Sequence, residues 1–362
     1  MAVAPRFHRP PGRHTARATL GPDMPSTEHF SQPDAASDLE PGQVPDIDVA
    51  ALFGSDPGAR AGVCDAIRRA CVEPGFFRIH GTCIPPPLVE SVLAQMQAFF
   101  GLADDDPIKR AVHNRLTPGG NGWGPIGEEP AYQPGTTAHV ESFDCGPRIS
   151  AYGPHEDPAA FGVYPSVWPE LPGFHATIRE YWDAAGRLGT ALCGAFAAAL
   201  DLDPDFLAAR CSERARRALR LLHYPGRALG IAPPGLVGIA AHTDFECFTL
   251  MYQTAPGLEL TDVRGRWFRV PGEPDRFTVI VGDMLERWTN GYLHATGHRV
   301  ALTPWSRYSV ILFFAADPEV EISPLPQFCS AANPPRYEAT TQVAHIEREL
   351  ERAYRNRGQP PP

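Results

Sequence analysis

The second half of the chain alternates short β-rich runs with turn residues, and this pattern limits the possible folds more than any other feature. Each run is rich in Val, Ile, Leu, Phe, Thr or Tyr and is bounded by Gly, Pro, Asn or Asp. The runs occupy residues 218–224, 245–252, 258–261, 277–281, 298–302 and 307–314. Short strands at such intervals are typical of a sandwich or a jelly roll. The sequence therefore predicts a mainly β core.

Helical periodicity flanks this β-rich region on both sides. Apolar side chains recur at helical spacing in four segments, which are residues 59–72, 87–100, 173–202 and 340–355. Two short strands, in PDIDVAALF and GFFRIHG, are predicted among the first helices. We expect the helices to pack against the sheet.

Composition divides the chain into three segments. Residues 1–44 are rich in Pro, Ser, Gly and charge and lack hydrophobic periodicity, so we expect a flexible tail. A module of helices and strands is expected over residues 45–170, and a β domain with a C-terminal helix over residues 171–362. Within the module, residues 117–169 are dense in Gly, Pro and aromatic residues, and so long a connection is typical of a functional loop.

Charge and hydropathy exclude several classes of partner. The 32 basic and 42 acidic residues give a formal net charge of −10, which offers no attraction to nucleic acid or to an anionic membrane. No run of apolar residues is long enough to span a membrane, and the N-terminus lacks the apolar centre of a secretory signal. The eight cysteines are scattered without a Cys-x-x-Cys pair, which indicates reduced thiols. We therefore expect a cytoplasmic protein whose partners are small molecules.

A candidate metal site lies in the segment AAHTDFECFTL. His242 and Asp244 are two residues apart, so on a strand their side chains would point to one face. Two imidazoles and one carboxylate form the facial triad that suits Fe(II) for reaction with O2. Either His294 or His298, which are four residues apart, could supply the second imidazole. Spacing alone does not choose between them.

A candidate carboxylate site lies in the segment RYSVILFF. Arg307 and Ser309 are two residues apart and would lie on one face of a strand. A guanidinium group and a hydroxyl group together are well suited to bind a carboxylate. Because Arg307 opens an apolar run, we expect its side chain to point inward and hold a ligand rather than form a surface ion pair.

These motifs, in this order, resemble the isopenicillin N synthase-like branch of the Fe(II)/2-oxoglutarate dioxygenases. That family shows His-x-Asp, then His-Arg-Val, then Arg-x-Ser, and this chain has all three. The resemblance selects His298 as the second imidazole. It also extends to PDIDVAALFG, GFFRIHG, NGWGPIGEE and HVESFDCG, and so covers about residues 45–355.

The resemblance implies a double-stranded β-helix, or jelly roll, with helices supporting the larger sheet. It also implies Fe(II) held by His242, Asp244 and His298, and 2-oxoglutarate as cosubstrate. The contacts to 2-oxoglutarate that it implies are Arg307, Ser309 and Tyr224. One departure concerns Leu222, where many plant relatives carry Asn, so that one polar contact to the cosubstrate is absent.

The implied reaction is oxidation of a C–H bond of a small metabolite with release of succinate and CO2. Hydroxylation, desaturation and ring closure are all compatible with it, and the substrate and oligomeric state are not indicated by the sequence. Halogenation is disfavoured because Asp244 fills the position that a halide would need. Five aromatic residues are candidates to line the substrate pocket, with the core as the alternative for each: Trp123, Tyr132, Phe143, Phe245 and Phe314.

Two other functions remain open at this point. An isopenicillin N synthase-like oxidase would use iron and O2 without 2-oxoglutarate, and Arg307 and Ser309 would then bind a substrate carboxylate. Tyr224 argues against this alternative. The second alternative is a non-catalytic protein that keeps the metal site for structure or ligand binding, and the complete triad argues against it.

Overall fold

A computed structural model describes residues 36–38, 44–215, 218–228 and 232–356. Most of the tail predicted over residues 1–44 lies outside the described residues. The strands are β1 (Ser37–Asp38), β2 (Asp46–Asp48), β3 (Phe76–His80), β4 (Gly122–Gly124), β5 (Thr137–Ala138), β6 (Glu141–Cys145), β7 (Leu219–Tyr224), β8 (Leu236–Val237), β9 (Ile239–His242), β10 (Phe248–Gln253), β11 (Leu258–Thr261), β12 (Trp267–Arg269), β13 (Phe277–Val281), β14 (His298–Val300), β15 (Arg307–Phe314), β16 (Glu321–Ile322) and β17 (Thr340–Thr341). The α-helices are α1 (Pro57–Val72), α2 (Pro86–Phe100), α3 (Pro107–Ala111), α4 (Phe174–Ala199), α5 (Asp283–Trp288) and α6 (Gln342–Asn356).

Two sheets form the centre of the fold. The larger has eight strands in the order β2-β3-β13-β10-β15-β7-β6-β4, and the smaller has five in the order β1-β12-β11-β14-β9. Apolar side chains of both sheets form one buried cluster, in which Leu222 and Met251 of the larger sheet accompany Leu260 and Val300 of the smaller. This arrangement confirms the predicted jelly roll with flanking helices.

The helices α1, α2 and α4 cover the other face of the larger sheet. The residues of β15 alternate between the two sides, because successive side chains of a strand point to opposite faces. Leu312 and Phe314 belong to the cluster shared with the helices, whereas Ile311 belongs to the cluster between the sheets. A Cβ atom at Gly189 of α4 would overlap the ring of Phe314, so glycine permits this close approach of helix and sheet.

The larger sheet joins the two segments that composition separated. Strands β3 and β6 come from residues 45–170, and they pair with β13 and β7 from residues 171–362. The four predicted helices are present with small shifts at their ends, as α1, α2, α4 and α6. None of the helices in the described ranges combines the length and the apolarity needed to cross a membrane.

Candidate active site

Three candidate ligands converge at one end of the space between the sheets. His242 Nε2 lies 3.8 Å from Asp244 Oδ1, and His298 Nε2 lies 3.5 Å from the same oxygen. The three side chains are buried, and their ligand atoms all lie within 4.8 Å of one another. His242 ends β9, His298 begins β14, and the two residues are cross-strand partners. The pairing of these strands therefore sets the separation of the two imidazoles.

Asp244 belongs to this cluster but lies in a turn, and not in the strand in which it was predicted. The strand β9 ends at His242 and Asp244 lies in the turn that follows, so the two side chains do not share one face of a strand. The Asp283 backbone N–H donates to the Asp244 carbonyl at 2.9 Å and holds this turn in place. His294 lies in the loop before β14 and is outside the cluster.

The hydrogen bonds of the three groups leave one ligand atom free on each. His242 Nδ1 lies 2.8 Å from the Ala240 carbonyl, and His298 Nδ1 lies 3.2 Å from the Thr296 carbonyl. Because a carbonyl only accepts, each Nδ1 carries the proton and each Nε2 keeps its lone pair. Asp244 Oδ2 accepts from the Thr249 hydroxyl, which leaves Oδ1 available.

Burial also favours the neutral form that a metal-binding imidazole requires. Desolvation, followed by the nearby His298, lowers the pKa of His242 well below its usual value. The chemistry of this donor set, with two neutral imidazoles and one carboxylate, fits a divalent iron site.

Arg307 is fully buried, and its guanidinium group has only part of its hydrogen-bond donors paired. Its Nη2 donates to Gln253 Oε1 at 2.7 Å and to Ser309 Oγ at 2.8 Å, and its Nε donates to the Ala255 carbonyl at 3.3 Å. Nη1 has no hydrogen-bond partner in the part of the chain that the structure describes, and no described carboxylate pairs with the guanidinium. A buried cation with an unpaired donor is costly, and a bound carboxylate would remove that cost.

Tyr224 lies beside this guanidinium. It is the cross-strand partner of Arg307, whose guanidinium lies 4.4 Å from the centre of the Tyr224 ring. Burial raises the pKa of Tyr224 to about 12, so its hydroxyl remains a donor at neutral pH. Leu222, the cross-strand partner of Ser309, offers only an apolar surface.

A cavity of about 210 Å³ contacts all three candidate ligands and Tyr224. Its walls come from both sheets, and Ile346, Leu350 and Tyr354 of α6 also line it. The helix α6 is attached to α5 by the buried pair of His345 Nε2 and Asp283 Oδ2, which lie 2.8 Å apart. The helix that contributes to the cavity is thus anchored next to the turn that carries Asp244.

Two of the five candidate pocket aromatics line this cavity, namely Tyr132 and Phe245. The Tyr132 ring stacks on the His242 ring, with centroids 4.0 Å apart and an angle of 6° between the planes. Tyr132 is therefore in direct contact with a candidate metal ligand.

The other three aromatics, Trp123, Phe143 and Phe314, lie in the core between the larger sheet and the helices, which corrects their assignment to the pocket. The physical reason is the alternation of side chains along a strand. Asp144 of β6 faces the cavity, so its neighbour Phe143 faces the helices, and Trp123 pairs with Phe143 across the strands. By the same rule Phe313, and not Phe314, shares the cavity side with Arg307 and Ser309.

The core position of Phe314 leads to a prediction. Phe314→Ala is expected to lower the free energy of unfolding by about 3–5 kcal/mol, because it leaves a cavity behind the sheet. Denaturant unfolding measures this loss. Phe313→Ala, on the cavity side, is the matched control and should cost much less stability, since Phe313 is only partly buried. Equal losses in the two variants would contradict this assignment.

A charged cluster on the cavity wall was not predicted. Arg220 Nε and Nη2 donate to the two oxygens of Asp144 at 2.8 and 2.9 Å, and Arg220 Nη1 donates to Glu129 Oε1 at 2.5 Å. The Tyr132 hydroxyl lies 3.4 Å from the same Glu129 oxygen. Burial opposes the charge of Arg220, but the two carboxylates outweigh it and raise its pKa well above the usual value.

Comparison with known proteins places the chain in one family. Residues 216–316 match the model of the 2OG-Fe(II) oxygenase superfamily, and residues 44–171 match that of the non-haem dioxygenase in morphine synthesis N-terminal. The 2-oxoglutarate-dependent dioxygenase citB of Monascus ruber is 33% identical over 296 residues, which cover 78% of this chain and 87% of that protein. The 2-oxoglutarate-Fe(II) type oxidoreductase ppzD of Metarhizium rileyi is 28% identical over 326 residues, with 85% and 90% covered.

Solved structures agree with the fold. A full-length Neurospora crassa protein in complex with alpha-KG aligns with a TM-score of 0.74 at 23% identity and covers 87% of this chain and 98% of its own. The dioxygenase for auxin oxidation of rice aligns with a TM-score of 0.66 at 25% identity, with 88% and 97% covered. In agreement with the resemblance in the sequence, the chain belongs to the superfamily of Fe(II)- and 2-oxoglutarate-dependent oxygenases.

Proposed function

We propose that this protein oxidises a C–H bond of a small metabolite, using Fe(II) bound by His242 Nε2, His298 Nε2 and Asp244 Oδ1. The observation that carries the proposal is the convergence of these three free ligand atoms in a buried cavity. A divalent iron held by only these three protein ligands would still have room to bind other molecules. The oxidases and dioxygenases with this triad need that room for O2 and a second ligand.

Arg307, Ser309 and Tyr224 are proposed to hold the distal carboxylate of 2-oxoglutarate. The unpaired Nη1 of Arg307 supports this role, since a carboxylate there would complete the hydrogen bonds of the guanidinium. The hydroxyl of Ser309 already touches Arg307 Nη2 at 2.8 Å and orients the group. Leu222 replaces a polar side chain found in plant relatives, so binding of the distal carboxylate depends more heavily on Arg307.

The bound iron and 2-oxoglutarate supply the oxidising chemistry, with release of succinate and CO2. The protein contributes placement and the exclusion of water. Apolar side chains at Met251, Ile311 and Phe313 line the cavity and limit the water near the metal. Because the C–H bond held nearest the metal reacts, the cavity wall selects both the substrate and the position of oxidation.

The names of related proteins give no single substrate. A proline hydroxylase, buaE of Petromyces alliaceus, is 29% identical to this chain. A Neurospora crassa protein solved with alpha-KG and thymine is 23% identical, and JOX2, solved with 2OG, Fe and JA, is 21% identical. The relatives therefore do not indicate one substrate class for this cavity.

The reaction itself can be tested without the substrate. Protein reconstituted with Fe(II) is expected to convert 2-oxoglutarate to succinate in air, slowly and without added substrate. Protein reconstituted with Zn(II) is the control and should form none, because zinc has no redox chemistry. Absence of succinate, together with absence of 2-oxoglutarate binding, would show that the proposed function is wrong.

Thr249 provides a prediction about the metal site. Thr249→Val removes the hydrogen bond to Asp244 Oδ2 and frees this carboxylate to rotate. We expect Fe(II) affinity to fall by about 10- to 100-fold, as for other partners of metal ligands. Competition with a chelator measures the change. Thr278→Val, at a buried threonine of β13 outside the cavity, is the control, and an equal effect there would contradict the proposed role of Thr249.

A further inference from the structure

Among the described residues, carboxylates outnumber arginine and lysine on the wall of the active-site cavity. Apart from Asp244, the described residues that line it include four carboxylates, which are Glu128, Glu129, Asp144 and Glu246. Arg220 is the one arginine or lysine among these lining residues. Glu128 is paired with Arg115 at 2.8 Å. The formal charges of Fe(II), 2-oxoglutarate, Asp244 and Arg307 would cancel one another, so these groups would not compensate the charge of Glu129.

Every nitrogen of Arg220 already donates to a carboxylate of the cavity wall. Its Nε and Nη2 are committed to Asp144, and its Nη1 to Glu129. The paired geometry with Asp144 is the strong, two-bonded form of an arginine–carboxylate contact. Arg220 therefore neutralises Asp144 and compensates Glu129 only in part. An anionic substrate would meet no free cation on this wall.

Glu129 retains one oxygen without a partner. Its Oε1 accepts from Arg220 and Tyr132, whereas its Oε2 accepts no hydrogen bond from any described residue. The side chain is only 3% exposed, so bulk water solvates this charge poorly. Burial, opposed only in part by Arg220, raises the pKa of Glu129 above its usual value. A positive group placed at Oε2 would offset that cost of burial.

Glu129 is also close to the metal centre. Tyr132 links the two, because its hydroxyl lies 3.4 Å from Glu129 Oε1 and its ring stacks on His242. Tyr132 therefore contacts both Glu129 and the candidate metal ligand His242. The cavity, at about 210 Å³, is smaller than the roughly 300–1,000 Å³ of sites for drug-sized ligands.

We propose that Glu129 binds a positively charged nitrogen of the substrate, and that the substrate is accordingly a small amine. This inference rests on the proposed function, because it treats the cavity as the place where the oxidised molecule binds. Tyr132 adds an aromatic surface beside the same position, which favours a cation or an apolar group next to it.

Three probes of similar shape and different charge test the proposal: benzylamine, benzyl alcohol and benzoate. Each is titrated calorimetrically, without O2, into protein loaded with Fe(II) and 2-oxoglutarate. Benzylamine is expected to bind at least about tenfold more tightly than the other two, a difference of about 1.4 kcal/mol. Glu129→Gln keeps the shape of the side chain and the Arg220–Asp144 pair, and it should remove this preference.

Glu128→Gln is the matched control. Glu128 lines the same cavity but is paired with the exposed Arg115 at 2.8 Å, so its loss should leave the preference for benzylamine intact. The proposal is overturned if benzyl alcohol or benzoate binds wild-type protein as tightly as benzylamine. It is also overturned if no probe binds in the millimolar range, or if Glu129→Gln keeps the tenfold preference.

These outcomes are distinct from failure of the proposed function. That failure would appear earlier, as the absence of 2-oxoglutarate binding and succinate formation in wild-type protein. Retained 2-oxoglutarate binding in Glu129→Gln shows that the variant is folded. The comparison of the three probes on wild-type protein decides on the charge of the substrate even without the variant.

Discussion

Asp244→Ala is expected to abolish succinate formation and to weaken Fe(II) binding by more than about 100-fold. Loss of a residue that only orients a ligand costs about 10- to 100-fold in metal affinity, and loss of the ligand itself should cost more. Asp244 Oδ1 is also the one anionic donor within reach of both Nε2 atoms, at 3.8 and 3.5 Å, among the described residues. Without it, two neutral imidazoles would face a divalent cation alone.

Metal content after anaerobic reconstitution and desalting measures this effect. Asp183→Ala, which removes an exposed carboxylate paired with Arg148, is the control and should bind iron like the wild-type protein. Because Asp244 lies in a turn and its burial as an anion is costly in the absence of metal, the variant should remain folded. An Asp244→Ala protein that retains iron and turnover would contradict the proposed ligand set.

Arg307→Met is expected to weaken 2-oxoglutarate binding by about 2–5 kcal/mol, which corresponds to a loss of roughly 30- to 5,000-fold in affinity. The reason is that the distal carboxylate would lose its buried cationic partner. Iron affinity should be unchanged, since Arg307 is not among the metal-binding group. Calorimetric titration with 2-oxoglutarate measures the loss. Arg276→Met, at a partly buried arginine that precedes β13 and is paired with Asp46, is the control.

The same variant separates ligand binding from stability. Arg307 is a buried cation without a carboxylate partner in the described residues, so replacing it with methionine should not lower the thermal stability of the ligand-free protein. 2-Oxoglutarate should raise the melting temperature of the wild-type protein and not that of the variant. A variant that is stabilised by 2-oxoglutarate as strongly as the wild-type protein would rule out Arg307 as the cosubstrate anchor.

Local pattern was sufficient to predict the elements of the fold. The β-rich runs and the helical periodicities reflect which side chains are buried, and burial repeats with the period of each element. The start of the run at residue 245 was misplaced, because residues 243–247 form the turn that carries Asp244 and β10 begins at Phe248. A turn that must present a carboxylate is not distinguished from a strand by hydrophobicity alone.

The candidate metal site was predicted in part from spacing and in part from resemblance. Spacing placed His242 and Asp244 together but did not distinguish His294 from His298 as the second imidazole ligand. The resemblance to a known family selected His298. In the structure the choice follows from strand pairing, since His298 is opposite His242 in the register of β9 and β14. Such a register is a long-range property that no short sequence window contains.

Most residues of the cavity wall were not predicted from the sequence, again because long-range strand pairing brings them together. Glu129 and Arg220 are 91 positions apart in the chain, and only the pairing of β6 with β7 brings Arg220 opposite Asp144. One signal was available, because Phe313 shares the odd-numbered face of Arg307 and Ser309 and could have been preferred over Phe314. Applying the alternation of side chains to that strand would have identified the correct aromatic residue.

An anaerobic titration of the Fe(II) protein with 2-oxoglutarate, followed by visible absorption, shows whether the cosubstrate binds at the metal. Chelation of ferrous iron by 2-oxoglutarate produces a weak charge-transfer band, which should appear and saturate with the wild-type protein. The band should be absent with Asp244→Ala and should require far more 2-oxoglutarate with Arg307→Met. Absence of the band with iron-loaded wild-type protein would be incompatible with 2-oxoglutarate as cosubstrate and would favour an oxidase that does not use it.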